Sequence, residues 1–189
     1  MATPPPKTQH RPETLTLPVS YRMATTSDLP EIVRVYNTSI EGRLATADLE
    51  PVTVSDRASW FEAHDPTRRP IWVVDAPSGQ EAQRSRLVGW LSFSDFYGRA
   101  AYDATGELSI YVDPAARRQG IARALLADAI HVAPKLSIET LLGFIFDHNE
   151  PSLRLFRAFG FEQWAHLPRV AKLDADERGV IIMGRRVAP

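Results

Sequence analysis

A chain of 189 residues with 44% hydrophobic and 24% charged side chains holds enough apolar material for one medium domain, which excludes disorder throughout. The 22 basic and 23 acidic residues leave a net charge of −1, so no global field draws the protein to nucleic acid or to an anionic membrane, and any anion site has to be local. The absence of cysteine excludes disulfide scaffolds, cysteine nucleophiles and thiolate-held metals, and is compatible with the cytoplasm, where the protein is expected.

No apolar run nears the roughly 18 residues that span a bilayer; the longest compact one is residues 141–146. Residues 1–18 hold five of the 15 prolines and no apolar signal core, which reads as an extended tail before a domain over 19–189. A short strand is predicted over 19–23. Thr26, Ser27 and Asp28 then supply capping oxygens for a helix over 28–39, whose Leu29, Ile32, Val33, Tyr36 and Ile40 recur at helical spacing. Residues 41–54 lack periodicity and form a loop able to cover a pocket, before a second helix over 55–64 with Trp60 and Phe61 inward.

Strand-like runs follow at 71–74 and 87–93, joined by a polar hairpin connection over 75–86. The alternating run 107–112 stops at Asp113-Pro114 and leads through an arginine-rich turn into a helix over 120–134 and an apolar strand over 140–146. A strand, helix and strand in that order suggest parallel pairing. A fourth helix opens at Asp147-His148-Asn149 and stops at Gly160. Strands over 162–170 and 180–187, separated by a charged turn over 173–179, end the chain as an antiparallel pair.

The chemically informative stretch is Val112-Asp-Pro-Ala-Ala-Arg117-Arg118-Gln119-Gly120-Ile121-Ala122-Arg123. A helix start offers unpaired N–H donors and a partial positive charge, so a pyrophosphate can rest on the amides of residues 118–123 where Gly120 and Ala122 let the backbone approach. From spacing alone, the same arginines read as a solvated basic turn capping a surface helix.

Arg117-x-x-Gly120-x-Ala122 resembles the coenzyme A loop of the GNAT superfamily of N-acetyltransferases. The element order from about Tyr21 to Val187 is similar too. Local matches narrow the resemblance to the phosphinothricin and methionine sulfoximine acetyltransferases: Tyr36-Asn37, Thr46 to Pro51, Trp60-Phe61-x-x-His64, Val88-Gly89-Trp90, Arg99-Ala-Ala-Tyr102, Glu107-Leu-Ser-Ile-Tyr-Val112 and Asn149-x-x-Ser152. The resemblance implies an α/β fold with a mixed, splayed central sheet flanked by helices, and acetyl-CoA as cosubstrate. Implied roles are backbone pairing of Ile110, Tyr111 and Val112 with the pantetheine arm, a pyrophosphate cradle of Arg117, Arg118, Gln119, Gly120, Ile121, Ala122 and Arg123, and cofactor contacts from Asn149, Ser152 and Phe156.

A carboxylate beside the acceptor is useful because an amine must lose a proton to attack a thioester. Glu107 is the candidate base: its strand runs straight to the phosphate turn, and the pattern Tyr102-x-x-Thr105-x-Glu107 resembles the family's, with Gly106 as a departure. Arg99 and Tyr102 are the candidate acceptor-binding residues. Phe156 stands where the wider superfamily often has a proton-donating Tyr, and His148 lies close to it in sequence. Ala47 stands in place of a family Phe, and Val170 and Ala171 before Lys172 in place of a family Gly and Phe, substrate-facing departures that imply a differently shaped pocket. The four tryptophans read as core or interface residues, and no histidine or acidic cluster has metal-ligand spacing.

The expectation is thus an N-acetyltransferase acting on the α-amine of a small amino-acid-like molecule, with no nucleic-acid, membrane or metal partner and with a homodimer as its assembly. Two alternatives stand beside it. One is a GNAT enzyme acting on a polyamine, an aminoglycoside or a protein N-terminus; the other is a non-catalytic acyl-CoA-binding module.

Overall fold

Side-chain alternation along the strands decides how the interior is divided. In the computed structural model, which describes residues 20–76 and 86–187, strands β2 (Ile71–Asp75) and β3 (Leu87–Asp95) turn Ile71, Val73 and Trp90 to one side and Trp72, Val74, Leu91 and Phe93 to the other. The first set packs with Ile32, Val35 and Tyr36 of α1 (Leu29–Asn37) and with Trp60 of α2 (Val54–Glu62). The second packs with Leu125, Leu126 and Ala129 of α3 (Ile121–Val132) and with Leu153 and Phe156 of α4 (Glu150–Ala158). Helices therefore cover both faces of one sheet, the α/β arrangement expected.

The helices begin where side-chain oxygens meet their free amides. Thr53 accepts from the amide of Asp56, whose carboxylate accepts in turn from the Thr53 amide at 2.8 Å. Asn149 caps α4 by accepting from the amide of Ser152 at 3.2 Å. Helix α3 has no such cap: its N-cap is Gly120 at φ 83°, which has no side chain to accept from the first amides.

With β1 (Arg22–Met23), β4 (Thr105–Val112), β5 (Thr140–Phe146), β6 (Glu162–Leu173) and β7 (Asp176–Arg186), the sheet runs β1-β2-β3-β4-β5-β7-β6. Every neighbouring pair is antiparallel except β4 and β5. That parallel pair holds over only Thr105 with Thr140, Gly106 with Leu141 and Glu107 with Leu142. Beyond them β4 stays on β3 as far as Val112, while β5 stays on β7 as far as Phe146. The sheet splays open at Glu107. Gly106, the departure noted in the sequence, sits close against Ile138: a Cβ there would lie 2.9 Å from Cδ1, so the Ile138 side chain would have to shift to admit one.

Several boundaries differ from the sequence reading. The first helix opens as a 3-10 turn at Thr26–Asp28, and the predicted helix over 120–134 ends in a second 3-10 turn, Ala133–Leu136, where Pro134 cannot continue it. Asp147 and His148 precede α4 rather than opening it. Most of the charged turn over 173–179 is strand: Lys172 pairs with Glu177 and Leu173 with Asp176, leaving a tight turn at Asp174, φ 55°. Charge misled there because β6 is an edge strand, exposed on most of its length, where polar residues and Pro168 cost little. Trp164 is not core: it sits at a bulge of β6, 48% exposed, with its ring over Gly184. The predicted tail over 1–18 and most of the 75–86 connection lie outside the described residues.

Candidate functional site

Alternation along β4 sends Leu108, Ile110 and Val112 into the α3 and α4 side. Glu107, Ser109 and Tyr111 therefore face α1 and α2, where the Tyr111 ring lies 4.6 Å from Trp90 and 5.0 Å from Tyr36. Glu107 is the last β4 residue paired with β5, so its carboxylate stands at the apex of the opening. Burial pushes that carboxyl above its ordinary value, and among the described residues no charge or hydrogen bond opposes the shift.

At the far end of β4, about 17 Å from Glu107 at the usual rise per residue, the chain turns into α3. Arg118 at φ 62° and Gly120 at φ 83° are both left-handed, a turn conformation of the kind from which anion nests are built. A cavity of about 200 Å³ lies there, lined by Val112, Ala116, Arg117, Arg118, Gly120, Ile121, Ala122 and Arg123. The Arg123 guanidinium sits 5.0 Å above the ring of Phe159, which holds one cation near the helix start. Uncapped amides, a small-residue approach and three arginines fit a pyrophosphate. A larger concavity, about 580 Å³, lies among Phe159, Glu162, Trp164, Arg185 and Arg186. It is at the opposite end of β5, since Arg186 pairs with Thr140, so volume alone does not locate this chemistry.

The turn is anchored from below by Asp113, whose side chain is 5% exposed. It accepts from Arg34 at 2.7 Å, from Arg86 at 3.0 Å and from the Ala115 amide at 3.0 Å. Burial alone would push its carboxyl up, but the Arg34 hydrogen bond, the Ala115 amide and the two arginine charges outweigh burial and hold it below its ordinary value. Asp113 thus contributes stability above the usual carboxylate range, and the contribution is lost as pH falls through the lowered value. Asp113→Ala is expected to cost about 2 kcal/mol at neutral pH, less than a fully buried broken pair because both arginines can rehydrate. Thermal melts should show that difference narrowing in acid.

The loop over 41–53 crosses the open mouth of the splay. Three successive carbonyls tie it down: Arg43 accepts from Nε2 of His148 at 2.9 Å, Leu44 from Nδ2 of Asn149 at 2.9 Å, and Ala45 from the hydroxyl of Tyr111 at 3.1 Å. The guanidinium of Arg43 also reaches Asp174 in the β6–β7 turn at 2.8 Å. On the α1 side the Tyr36 hydroxyl meets Thr46 and Asp48, and the Arg57 guanidinium lies 4.2 Å over the Tyr36 ring. Asn37 closes the loop by exchanging two hydrogen bonds with the backbone of Val52.

The structure brings together Glu107, the β4 edge at Ile110, Tyr111 and Val112, and the turn from Arg117 to Arg123 around one opening. Asn149 follows β5 as the cap of α4 and Ser152 lies in the first turn of that helix, with the Asn149 side chain already engaged by the cap and by the loop. Phe156 is buried on the α3 and α4 side, where its ring fills the space beside Gly143: a Cβ there would lie 2.5 Å from Cε1. His148 is directed to the Arg43 carbonyl. Arg99 is exposed, and Tyr102 packs in an aromatic group with half-buried Phe96 and exposed Tyr97. Sequence reasoning gave no role to Arg43, Leu44, Ala45 or Asp48; the Thr46 to Pro51 and Tyr36-Asn37 matches were the available signal.

The Acetyltransferase (GNAT) family matches residues 33–161. The chain is 42% identical over 170 residues to YwnH of Bacillus subtilis, covering 90% of this chain and 100% of that protein. It is 29% identical to the L-methionine sulfoximine/L-methionine sulfone acetyltransferase of Pseudomonas paraeruginosa, over 81% of this chain and 86% of that one. Among solved structures it resembles a GNAT superfamily phosphinothricin acetyltransferase from Sinorhizobium meliloti in complex with AcCoA, with TM-score 0.82 and 26% identity over 91% of this chain and 90% of that chain.

Proposed function

The chain belongs to the GNAT family of acetyltransferases, and we propose that this acetyl-CoA-dependent enzyme acetylates the α-amine of a small amino-acid-like acceptor. The relatives' names, methionine sulfoximine and phosphinothricin acetyltransferases, support that acceptor class. The observation that carries the reading is the parting of β4 from β5 at the residue that bears a partner-free, half-buried carboxylate, with an anion nest at the other end of the same strand edge.

Acetyl-CoA supplies the activated acetyl group. Residues 117–123 hold its pyrophosphate, the free edge of β4 at Ile110, Tyr111 and Val112 pairs with the pantetheine arm, and Asn149, Ser152 and Phe156 border it from β5 and α4. Glu107 takes a proton from the acceptor amine, which frees the nitrogen lone pair for attack on the carbonyl carbon. Backbone N–H groups between Ser109 and Tyr111 face the developing oxyanion. Phe156 gives no proton to the departing sulfur; a thiol of ordinary pKa about 8.5 leaves without one. Arg99 pairs with the acceptor's acidic group, and Tyr102 lies beside it.

Residues 19–189 constitute the catalytic unit, working in the cytoplasm. Trp164, Leu167 and Val170, all exposed on the edge strand β6, support a homodimer formed through that strand. The acceptor is tested by mixing the protein with acetyl-CoA and a panel of amino acids, methionine sulfoximine, phosphinothricin, a polyamine and a peptide N-terminus, and following thiol release. Release with the amino-acid-like members alone is the expected result. Release only with the polyamine or the peptide would overturn the acceptor class.

A further inference from the structure

Strand β3 lines the acceptor side of the sheet with hydroxyls. In the β3–β4 register Ser92 stands opposite Ser109 and Ser94 opposite Glu107. Directly opposed residues share a face with Cβ atoms about 5 Å apart; no hydrogen bond joins Ser94 to the Glu107 carboxylate, so the link between them needs one bridging water. On its other side the Ser94 hydroxyl lies 3.4 Å from Nε2 of His64, which follows α2.

The tautomer of His64 is fixed by its second nitrogen. Nδ1 lies 2.7 Å from the carbonyl oxygen of Trp60; a carbonyl only accepts, so Nδ1 carries the hydrogen and Nε2 presents a lone pair to Ser94. The Trp60 ring packs edge-on at 4.6 Å and holds the imidazole in place. Next to this pair Ser92 is 1% exposed, and its hydroxyl has no hydrogen-bond partner among the described residues. A buried hydroxyl without a partner marks a place for ordered water.

We infer that Ser94 and His64 form the outlet for the proton that Glu107 removes from the acceptor amine, with Nε2 of His64 as the terminal acceptor. The inference rests on Glu107 as the base. Glu107 passes the proton to one bridging water, which gives one of its own to Ser94 Oγ as Ser94 passes its proton to Nε2, and the imidazolium then releases one proton to solvent, leaving Glu107 ionised for the next turnover. Two titratable groups face His64: Glu107 across Ser94, and Asp95 of β3, whose carboxylate is engaged by Arg69 at 2.7 Å and Arg68 at 3.4 Å. Burial pushes the imidazole below its ordinary value against the Trp60 carbonyl and Asp95, so the ring sheds the proton readily. Both residues act through Glu107 and are positioning residues.

The test uses Ser94→Ala and His64→Asn, the second keeping an amide donor for the Trp60 carbonyl. With whichever acceptor the wild-type protein acetylates fastest, each variant is expected to lose about tenfold in kcat, less than the roughly 10²- to 10⁴-fold of a group that itself takes the reacting proton, with Kd for acetyl-CoA unchanged. In both variants kcat should rise with the concentration of imidazole buffer, whereas the wild-type value should not. Wild-type kcat in Ser94→Ala, or a loss that imidazole leaves untouched, overturns the outlet; Ser94→Ala decides alone where His64→Asn does not fold. Glu107→Gln separates the two readings. If it turns over at the wild-type rate, the base assignment itself fails; if it is inactive while both other variants are unimpaired, only the outlet fails.

Discussion

Glu107→Gln is expected to lower acetyl transfer by about 10²- to 10⁴-fold, the range for removing a positioned general base, while binding of acetyl-CoA persists. The two effects separate because the carboxylate and the phosphate turn occupy opposite ends of β4, and the amide is nearly the same size as the acid it replaces. Calorimetric titration with coenzyme A and steady-state turnover, measured on the same preparation, read the two ends independently. Equal loss of both would mean that the substitution had disturbed the strand, not the chemistry.

The pH dependence carries the same assignment. Only the ionised form of Glu107 accepts a proton, and burial raises its value above the ordinary 4.5. The wild-type rate should therefore fall as pH drops through that raised value, starting at a higher pH than an exposed glutamate would give. The stability effect has the opposite sense. The unfolded chain ionises this carboxyl more easily than the folded one, so above the raised value Glu107 subtracts from stability, and below the ordinary value it has no effect. Glu107→Gln should melt above the wild type at neutral pH, and the two melting curves should converge in acid. A substitution that removes activity and adds stability is the signature of a group kept for function.

What the sequence disclosed about this site follows a physical division. The strand from Thr140 to Phe146 was readable to the residue because it is buried on both faces and bounded by turn signals. The phosphate turn was readable because anion binding needs glycine and arginine at fixed places. The depth of the splay was not: three paired positions between β4 and β5 are a tertiary outcome, and the strands carry the same apolar pattern before and after the parting. The loop over the mouth was legible only as a covering segment, because its ties run through the main-chain carbonyls of Arg43, Leu44 and Ala45, which have no side-chain signature. Asp113 followed by proline marked the end of a strand, yet its two arginine partners lie 79 and 27 residues away in the chain. His64 belonged to a recognised pattern, but its relation to Glu107 depends on the register of β3 against β4, which no local signal sets.

At the other end of β4, Gly120→Val is expected to raise KM for acetyl-CoA by about 10- to 100-fold, the size of one to two lost charge-assisted hydrogen bonds. Two costs combine there. A β-branched residue at φ 83° is strained by about 1–3 kcal/mol, and the added methyls occupy part of a cavity of only about 200 Å³. Strain alone would lower the melting temperature and leave KM unchanged; filling the nest alone would do the reverse. Gly120→Ala distinguishes them, since it carries most of the backbone strain with one small methyl. A KM for Gly120→Ala much nearer wild type than that of Gly120→Val, at similar melting temperatures, would place the loss in the space the phosphates need. Because the turn holds the cofactor and takes no proton, kcat at saturating acetyl-CoA should fall far less than in Glu107→Gln. A valine variant with wild-type KM would show that the amides of this turn do not hold the cofactor.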